Sequence, residues 1–160
     1  MNKKKFKVLF ICTGNCCRSP MAKGILNNYL KKNKIENIEV DSAGIMAPAD
    51  SPPSNYTIMV TVENGIDISS HRSKLVNREI VESSDLILVM EQSHKDYISK
   101  FFPFCKKKVY LLKNFGDTAK GGEIDDPIGF ELDTHRICYQ ELKKEIYRII
   151  LELIKITEKD

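Results

Sequence analysis

Val8-Leu9-Phe10-Ile11-Cys12-Thr13-Gly14-Asn15-Cys16-Cys17-Arg18-Ser19-Pro20-Met21-Ala22 is the stretch that decides the fold. Together with Phe6 and Lys7, its first part is apolar and rich in strand formers, which predicts a strand over 6–11. Cys12 to Arg18 has turn chemistry. Ser19-Pro20 then has the form of a helix start, with a hydroxyl to cap free amides and a proline at the first helical position. Met21, Ile25, Leu26, Tyr29 and Leu30 give that helix an apolar face. A second short strand over 38–43 completes a strand–helix–strand unit, which is expected to close right-handed with parallel strands.

Outward from this unit the alternation continues. Ala47-Pro48 and Ser51-Pro52-Pro53 mark a loop before a predicted helix over 55–64, and Gly65 stands where a C-terminal glycine belongs. Strands are predicted over 85–90 and 109–112, with a helix near 93–101 between them. Residues 116–129 form a long loop rich in glycine and acid. The chain closes with a helix from about Thr134, with Leu142, Ile146, Ile149, Ile150 and Leu153 on one face. Strand alternating with helix throughout predicts an α/β fold whose parallel sheet is covered on both sides. With no repeat and no linker, residues 1–160 read as a single domain.

Composition narrows the function classes. The chain has 160 residues, 42% hydrophobic and 29% charged, which is globular rather than disordered. No apolar run approaches the roughly 20 residues of a membrane span. The basic start, Met1 to Lys5, runs directly into a strand, so no cleaved leader is expected and the expected location is cytoplasmic. A net charge of +3 suits anionic substrates, and without a long basic stripe no nucleic-acid partner is expected. Lys106-Lys107-Lys108 reads as a solvated turn. Three of the five cysteines fall within positions 12 to 17, a poor disulfide framework that points to reactive thiols. Cys105 and Cys138 read as semi-buried, His94 and His135 as surface helix positions. No metal is expected, because Cys12, Cys16 and Cys17 crowd one loop and no Cys/His pair completes them.

The first loop carries the chemistry. It lies between the C-terminal end of a strand and a helix N-terminus, where open parallel sheets bind ligands. The amides of Thr13, Gly14, Asn15, Cys16, Cys17 and Arg18 can turn inward, and the helix end adds partial positive charge, making an anion cradle. Arg18 offers a planar fork for two phosphate oxygens. The same field favours the thiolate of Cys12. Nucleophile, cradle and clamp thus share one loop.

This run closely resembles the signature of the low-molecular-weight protein tyrosine phosphatase family. The resemblance continues through Asp41-Ser42-Ala43-Gly44, Ser70-His71-Arg72-Ser73, Asp85-Leu86-Ile87-Leu88-Val89-Met90 and Asp126-Pro127, and covers nearly the whole chain. It implies a three-layer sandwich, phosphotyrosine protein phosphatase I-like, around a central four-stranded parallel sheet. It further implies phosphotyrosine hydrolysis in a phosphorylated protein substrate through a cysteinyl-phosphate, by a monomer or weak dimer without a cofactor. Cys12 would be the nucleophile and Arg18 the clamp. Ser19 would donate to the thiolate, and Asn15, Ser42 and His71 would brace the loop. Asp126 matches the general acid, with Asp125 beside it as a competitor. Cys17, rather than Cys16, matches a redox position that can close a protective disulfide with the nucleophile; a small packed residue is the alternative reading.

Departures from the pattern open the substrate question. Tyrosine-specific members carry two tyrosines after the Asp-Pro pair, where this chain has Ile128-Gly129-Phe130, and residues 45–54 hold no aromatic. The position of Cys16 is often aliphatic in tyrosine-specific members and threonine in the bacterial protein-arginine phosphatase branch. Phosphoarginine hydrolysis is therefore the alternative. Thiol-dependent arsenate reductases share the fold, but their relay needs two more cysteines after the third strand, and residues 91–104 contain none. A non-catalytic phosphate-binding module would be expected to lack the nucleophile or the acid.

Overall fold

The computed structural model describes residues 3–159; Met1, Asn2 and Asp160, which the single-domain expectation includes, lie outside the described residues. Its elements run β1 (Phe6–Cys12), α1 (Arg18–Lys32), β2 (Ile38–Gly44), α2 (Asn55–Glu63), α3 (Arg78–Ser83), β3 (Leu86–Val89), α4 (Gln92–Phe101), β4 (Val109–Leu111) and α5 (Leu132–Glu158). The four strands form one parallel sheet in the order β2-β1-β3-β4. The expected strands and long helices are all present. The short α3 and the 3-10 turns at Pro103–Lys108 and Leu112–Asn114 had no counterpart in the sequence reading.

β1 is apolar from Val8 to Cys12 because the sheet there is covered on both faces. On one face Val8, Phe10 and Cys12 pack with Met21, Leu26 and the Leu142, Ile146, Ile149 and Leu153 stripe of α5. On the other, Leu9 and Ile11 pack with Ala43, Val81, Ile87, Val89 and Ile98. Each such buried side chain stabilises the fold by about 1.5–3 kcal/mol. The stack of helix, sheet and helix is the three-layer sandwich.

Several surface expectations are corrected by packing. His94 is fully buried and His135 nearly so, its ring edge-on to Tyr56. Cys105 and Cys138 are buried rather than semi-buried. Lys106 to Lys108 do close a turn, a 3-10 one with Lys106 and Lys107 exposed as expected, while Lys108 Nζ donates to the carbonyls of Ser84 and Glu82. Helix α1 begins at Arg18, with Cys17 at its N-cap and no side chain capping it, so the Ser19 hydroxyl is free for other work.

The register brings the end of β2 against the end of β1. Cys12 is level with Gly44, whose amide donates to the Lys74 carbonyl and whose carbonyl accepts from Val76. A Cβ at Gly44 would lie 2.6 Å from the Thr13 carbonyl oxygen and 2.9 Å from the Asn15 amide. Both are backbone atoms of the first loop, so the contact cannot be relieved by a rotamer change. Gly44→Ala is expected to cost about 1–3 kcal/mol, read as a fall of several degrees in Tm by thermal unfolding.

Candidate active site

The loop from Cys12 to Arg18 leaves the sheet between the end of β1 and the start of α1. Asn15 turns it with φ 52°, the left-handed region that asparagine tolerates better than most residues. The Asn15 side chain is fully buried and fully used. Its Nδ2 donates to Ser19 Oγ at 2.8 Å and Ser42 Oγ at 3.0 Å, and its Oδ1 accepts the Lys74 amide at 3.0 Å. The His71 Nε2–H donates to the Asn15 carbonyl at 2.9 Å. Burial pulls the His71 ring below its ordinary value against this bond. Asn15, Ser42 and His71 are thus assembled on the loop.

Cys12 Sγ is buried at the bottom of the loop, 2.9 Å from Ser19 Oγ. Because Ser19 Oγ accepts from Asn15, its own proton is left for the sulfur, the Ala43 carbonyl being farther off at 3.5 Å. Burial pushes the Cys12 thiol up from its ordinary value; the Ser19 hydroxyl, the Ser19 amide, Arg18 and the Asn15 amide pull it down. The direction differs from the expectation read from the positive field alone. In the free protein desolvation outweighs that field, and the donors set how much of the penalty remains.

Arg18 is buried, and its guanidinium is held from several sides. Nη1 donates to the Ile124 carbonyl at 2.7 Å and meets Glu91 Oε1 at 2.9 Å. Nη2 lies 3.4 Å from Thr13 Oγ1 and 3.3 Å from Asp126 Oδ2. Asp126 is half-buried and lines the cleft, whereas Asp125 is exposed. The structure therefore brings Asp126, and not Asp125, to the clamp, in the cleft that Cys12 also lines. Its Oδ1 accepts the Ile128 amide at 3.1 Å, fixing the turn.

The cleft, about 120 Å³, is lined by Cys12, Thr13, Gly14, Cys16, Cys17, Arg18, Asp126 and Ile128. Among the described residues a larger groove of about 600 Å³ is lined by no cysteine, and its Lys23 and Lys74 are both paired with Asp41. Cys16 and Cys17 place their sulfurs 3.8 Å apart, and Cys17 Sγ is 3.3 Å from Ser54 Oγ. The Cys16 thiol, then Ser54 and Thr57, pull Cys17 below its ordinary value against burial. All five cysteines are free.

Two site residues were missed from sequence. Glu91 lies two residues beyond β3 at the N-cap of α4, and His94 forms a reciprocal capping box with it. Through that box Glu91 reaches Arg18, and His94 Nε2 reaches Thr13 Oγ1 at 2.9 Å. A box with glutamate at the cap and histidine three residues on lacks the usual serine or threonine signal. His71, Ser42 and Asp126 were found only by resemblance, since they lie far from Cys12 in sequence.

Comparison with known proteins places this geometry. The family model for low molecular weight phosphotyrosine protein phosphatase matches residues 7–159. A protein-arginine-phosphatase of Geobacillus stearothermophilus is 37% identical over 92% of this chain and 96% of its own. A low molecular weight protein-tyrosine-phosphatase of Acinetobacter johnsonii is 35% identical over 75% of this chain and 78% of its own. The solved arginine phosphatase of Geobacillus stearothermophilus superposes with a TM-score of 0.88 at 36% identity, covering 96% of each chain.

The Ser19 contact can be tested by alkylation. Removing a donor to the thiolate leaves burial less opposed, so Ser19→Ala is expected to shift the pH midpoint of Cys12 alkylation upward. Iodoacetate labelling across pH, with Cys12 read by mass spectrometry, measures it; an unmoved midpoint would mean that Ser19 does not bond the sulfur.

Proposed function

Because this chain belongs to the low molecular weight phosphotyrosine protein phosphatase family, we propose that its loop hydrolyses phosphorylated protein side chains through a phosphate carried on Cys12, with phosphoarginine the preferred substrate. It is a low-molecular-weight protein phosphatase, a hydrolase by family. What supports the assignment of roles is one arrangement: Cys12 Sγ at 2.9 Å from the Ser19 hydroxyl, beside a guanidinium that Asp126 meets at 3.3 Å across the same cleft.

In the first step the Cys12 thiolate attacks phosphorus while the bond from phosphorus to the leaving nitrogen or oxygen breaks. Asp126 supplies the proton that the leaving atom needs. The amides of Thr13 to Arg18 and the Arg18 fork hold the charge that develops on the phosphoryl oxygens. In the second step water attacks the cysteinyl-phosphate, the Asp126 carboxylate takes its proton, and the sulfur leaves as a thiolate that accepts from Ser19. Asn15, Ser42 and His71 keep the loop in shape. The route as written uses only side chains and amides of the chain.

The substrate preference rests on the wall of the cleft. No aromatic ring lines it; Cys16, Thr13 and Asp126 are polar or soft, and Ile128 is its one aliphatic side chain. A guanidinium leaving group needs hydrogen-bond partners rather than a stacking face. One relative matched over most of both chains is named a protein-arginine-phosphatase, and another is named a low molecular weight protein-tyrosine-phosphatase. Phosphotyrosine hydrolysis, the broader family activity, is the second reading. It is favoured by Met46, Ile128 and Phe130, exposed apolar side chains carried by segments next to the loop, against which a phenyl ring could pack.

The remaining assignments follow the same reading. Residues 1–160 form one phosphatase domain, working in the cytoplasm as a monomer or weak dimer without nucleic-acid or membrane partners. A net charge of +3 and the lack, among the described residues, of any helix long and apolar enough to cross a membrane support this. Cys17 is the thiol that would close a disulfide with Cys12 when peroxide removes two electrons and two protons from the pair.

Phosphate release from matched phosphoarginine and phosphotyrosine peptides, with chelator present, tests the function. Cys12→Ser is expected to abolish release, and Asp126→Ala to slow it by about 10²–10⁴-fold. The phosphoarginine peptide is expected to have the higher kcat/KM; the reverse order would return the assignment to phosphotyrosine. Near-normal turnover in Asp126→Ala would take the acid role away from it.

A further inference from the structure

His94 is a fully buried histidine that the route above does not use. Both of its ring nitrogens are engaged. Nδ1 accepts the Glu91 amide at 3.1 Å, and Nε2 lies 2.9 Å from Thr13 Oγ1, with Glu91 Oε2 farther away at 3.5 Å. A backbone amide can only donate, so Nδ1 carries no proton and the neutral ring keeps its single proton on Nε2. Burial first, and Arg18 second, hold the ring neutral by pulling it down to about 4, against Glu91, Asp126 and Glu123. Nε2 therefore donates to Thr13 Oγ1.

Thr13 Oγ1 accepts a second proton from Arg18 Nη2 at 3.4 Å. With both lone pairs of the hydroxyl taken, its own proton must point elsewhere. Among the described residues Thr13 Oγ1 has no third polar partner, and Thr13 lines the cleft beside Cys12, Arg18 and Asp126. The guanidinium nitrogen that touches Thr13 is the one that faces Asp126, on the side where a phosphoryl oxygen would meet the clamp.

We propose that the Thr13 hydroxyl donates to the phosphoryl group in transfer, and that His94 is a positioning residue that fixes the direction of this proton. The inference rests on the phosphatase reading and adds to the loop amides a side-chain donor oriented from behind by a neutral imidazole. Two donors converging on one hydroxyl also polarise it, so its bond to an anionic oxygen strengthens as charge builds in the transition state. The effect belongs to kcat more than to KM.

Kinetics on the better of the two phosphopeptides, with thermal unfolding of each variant, provide the test. Thr13→Val keeps the shape without the hydroxyl and is expected to lower kcat about tenfold, the worth of one bond to a charged oxygen, with KM little changed; Thr13→Ser is expected to restore most of it. His94→Asn offers an acceptor to the Glu91 amide but no donor to Thr13, and is expected to lose as much as Thr13→Val. His94→Gln places a donor near the Nε2 position and is expected to recover most of that loss. Since His94 acts through Thr13, the double variant Thr13→Val/His94→Asn is expected to be no slower than either single one. Parental kcat in Thr13→Val, or a double variant that multiplies the two losses, would overturn the inference. If His94→Asn does not fold, Thr13→Val and Thr13→Ser decide alone. A parent inactive on both peptides would instead defeat the phosphatase reading itself.

Discussion

The buried amide of Asn15 is the interaction on which the rest of the site depends. A non-glycine residue held in the left-handed region costs about 1–3 kcal/mol, and Asn15 pays it at φ 52° in the middle of the loop. Its side chain makes three hydrogen bonds, each worth about 0.5–1.5 kcal/mol net. They reach Ser19 on α1, Ser42 on β2 and the Lys74 amide in the segment that pairs with Gly44. The two sums are of the same size, so the loop holds its shape only while all three partners are in place. The bare glycine at position 44 belongs to the same constraint, since any larger residue would occupy the space of the loop backbone.

The Asn15 network also decides what the Ser19 hydroxyl can do. An amide that donates to Ser19 Oγ leaves the hydroxyl one proton to place, and Cys12 Sγ at 2.9 Å is a nearer acceptor for it than the Ala43 carbonyl at 3.5 Å. The same logic recurs on the other wall, where His94 and Arg18 both donate to Thr13 and leave its proton for the cleft. In each case a buried side chain outside the reacting atoms uses up the acceptor capacity of a hydroxyl and so aims it. Pre-aimed donors need no reorganisation when charge develops on the phosphoryl group.

Most of the fold was legible because its signals are local. The apolar run of β1, the Val40-to-Gly44 segment, the Leu86-to-Val89 run and the α5 stripe each carry their periodicity within a few turns or strand residues. The loop was legible too, since Cys12, Arg18 and Ser19 are close in sequence. Resemblance supplied Ser42, His71 and Asp126, which only the sheet order brings to the loop. Glu91 and His94 were not legible, because the chain from Gln92 to Phe101 reads as a polar surface helix and nothing local says that its first turn is plugged into the site. His135 escaped for the same reason. Local pattern read Ser19 as a helix cap, and only resemblance gave it as a donor to the thiolate; its hydroxyl lies 2.9 Å from the sulfur and caps nothing. Whether a polar residue in a first turn caps its helix or serves a neighbouring loop is a tertiary fact.

The charges around Arg18 constrain the order of proton movements. One guanidinium faces Glu91 and Asp126, two carboxylates, within a mostly buried site. A thiolate at Cys12 adds a further negative charge, and desolvation then favours the thiol, which is the direction found for the free protein. A phosphoryl group brings still more negative charge to the same place. The loop amides and the helix end offset part of it, but the ionised thiolate, both carboxylates and a dianionic phosphate together exceed what one arginine can neutralise. Glu91 is committed to the clamp at 2.9 Å and lies behind it. The group that can relieve the excess is Asp126, the carboxylate that shares the cleft with the incoming phosphate. On the proposed route Asp126 enters the first step carrying the proton that it gives to the leaving group, which also lowers the negative charge gathered around the one guanidinium. Once the leaving group departs with that proton, the carboxylate is restored beside Arg18, ready to take a proton from water. On that route the buried guanidinium bears on the acid step as well as on the binding of the phosphate.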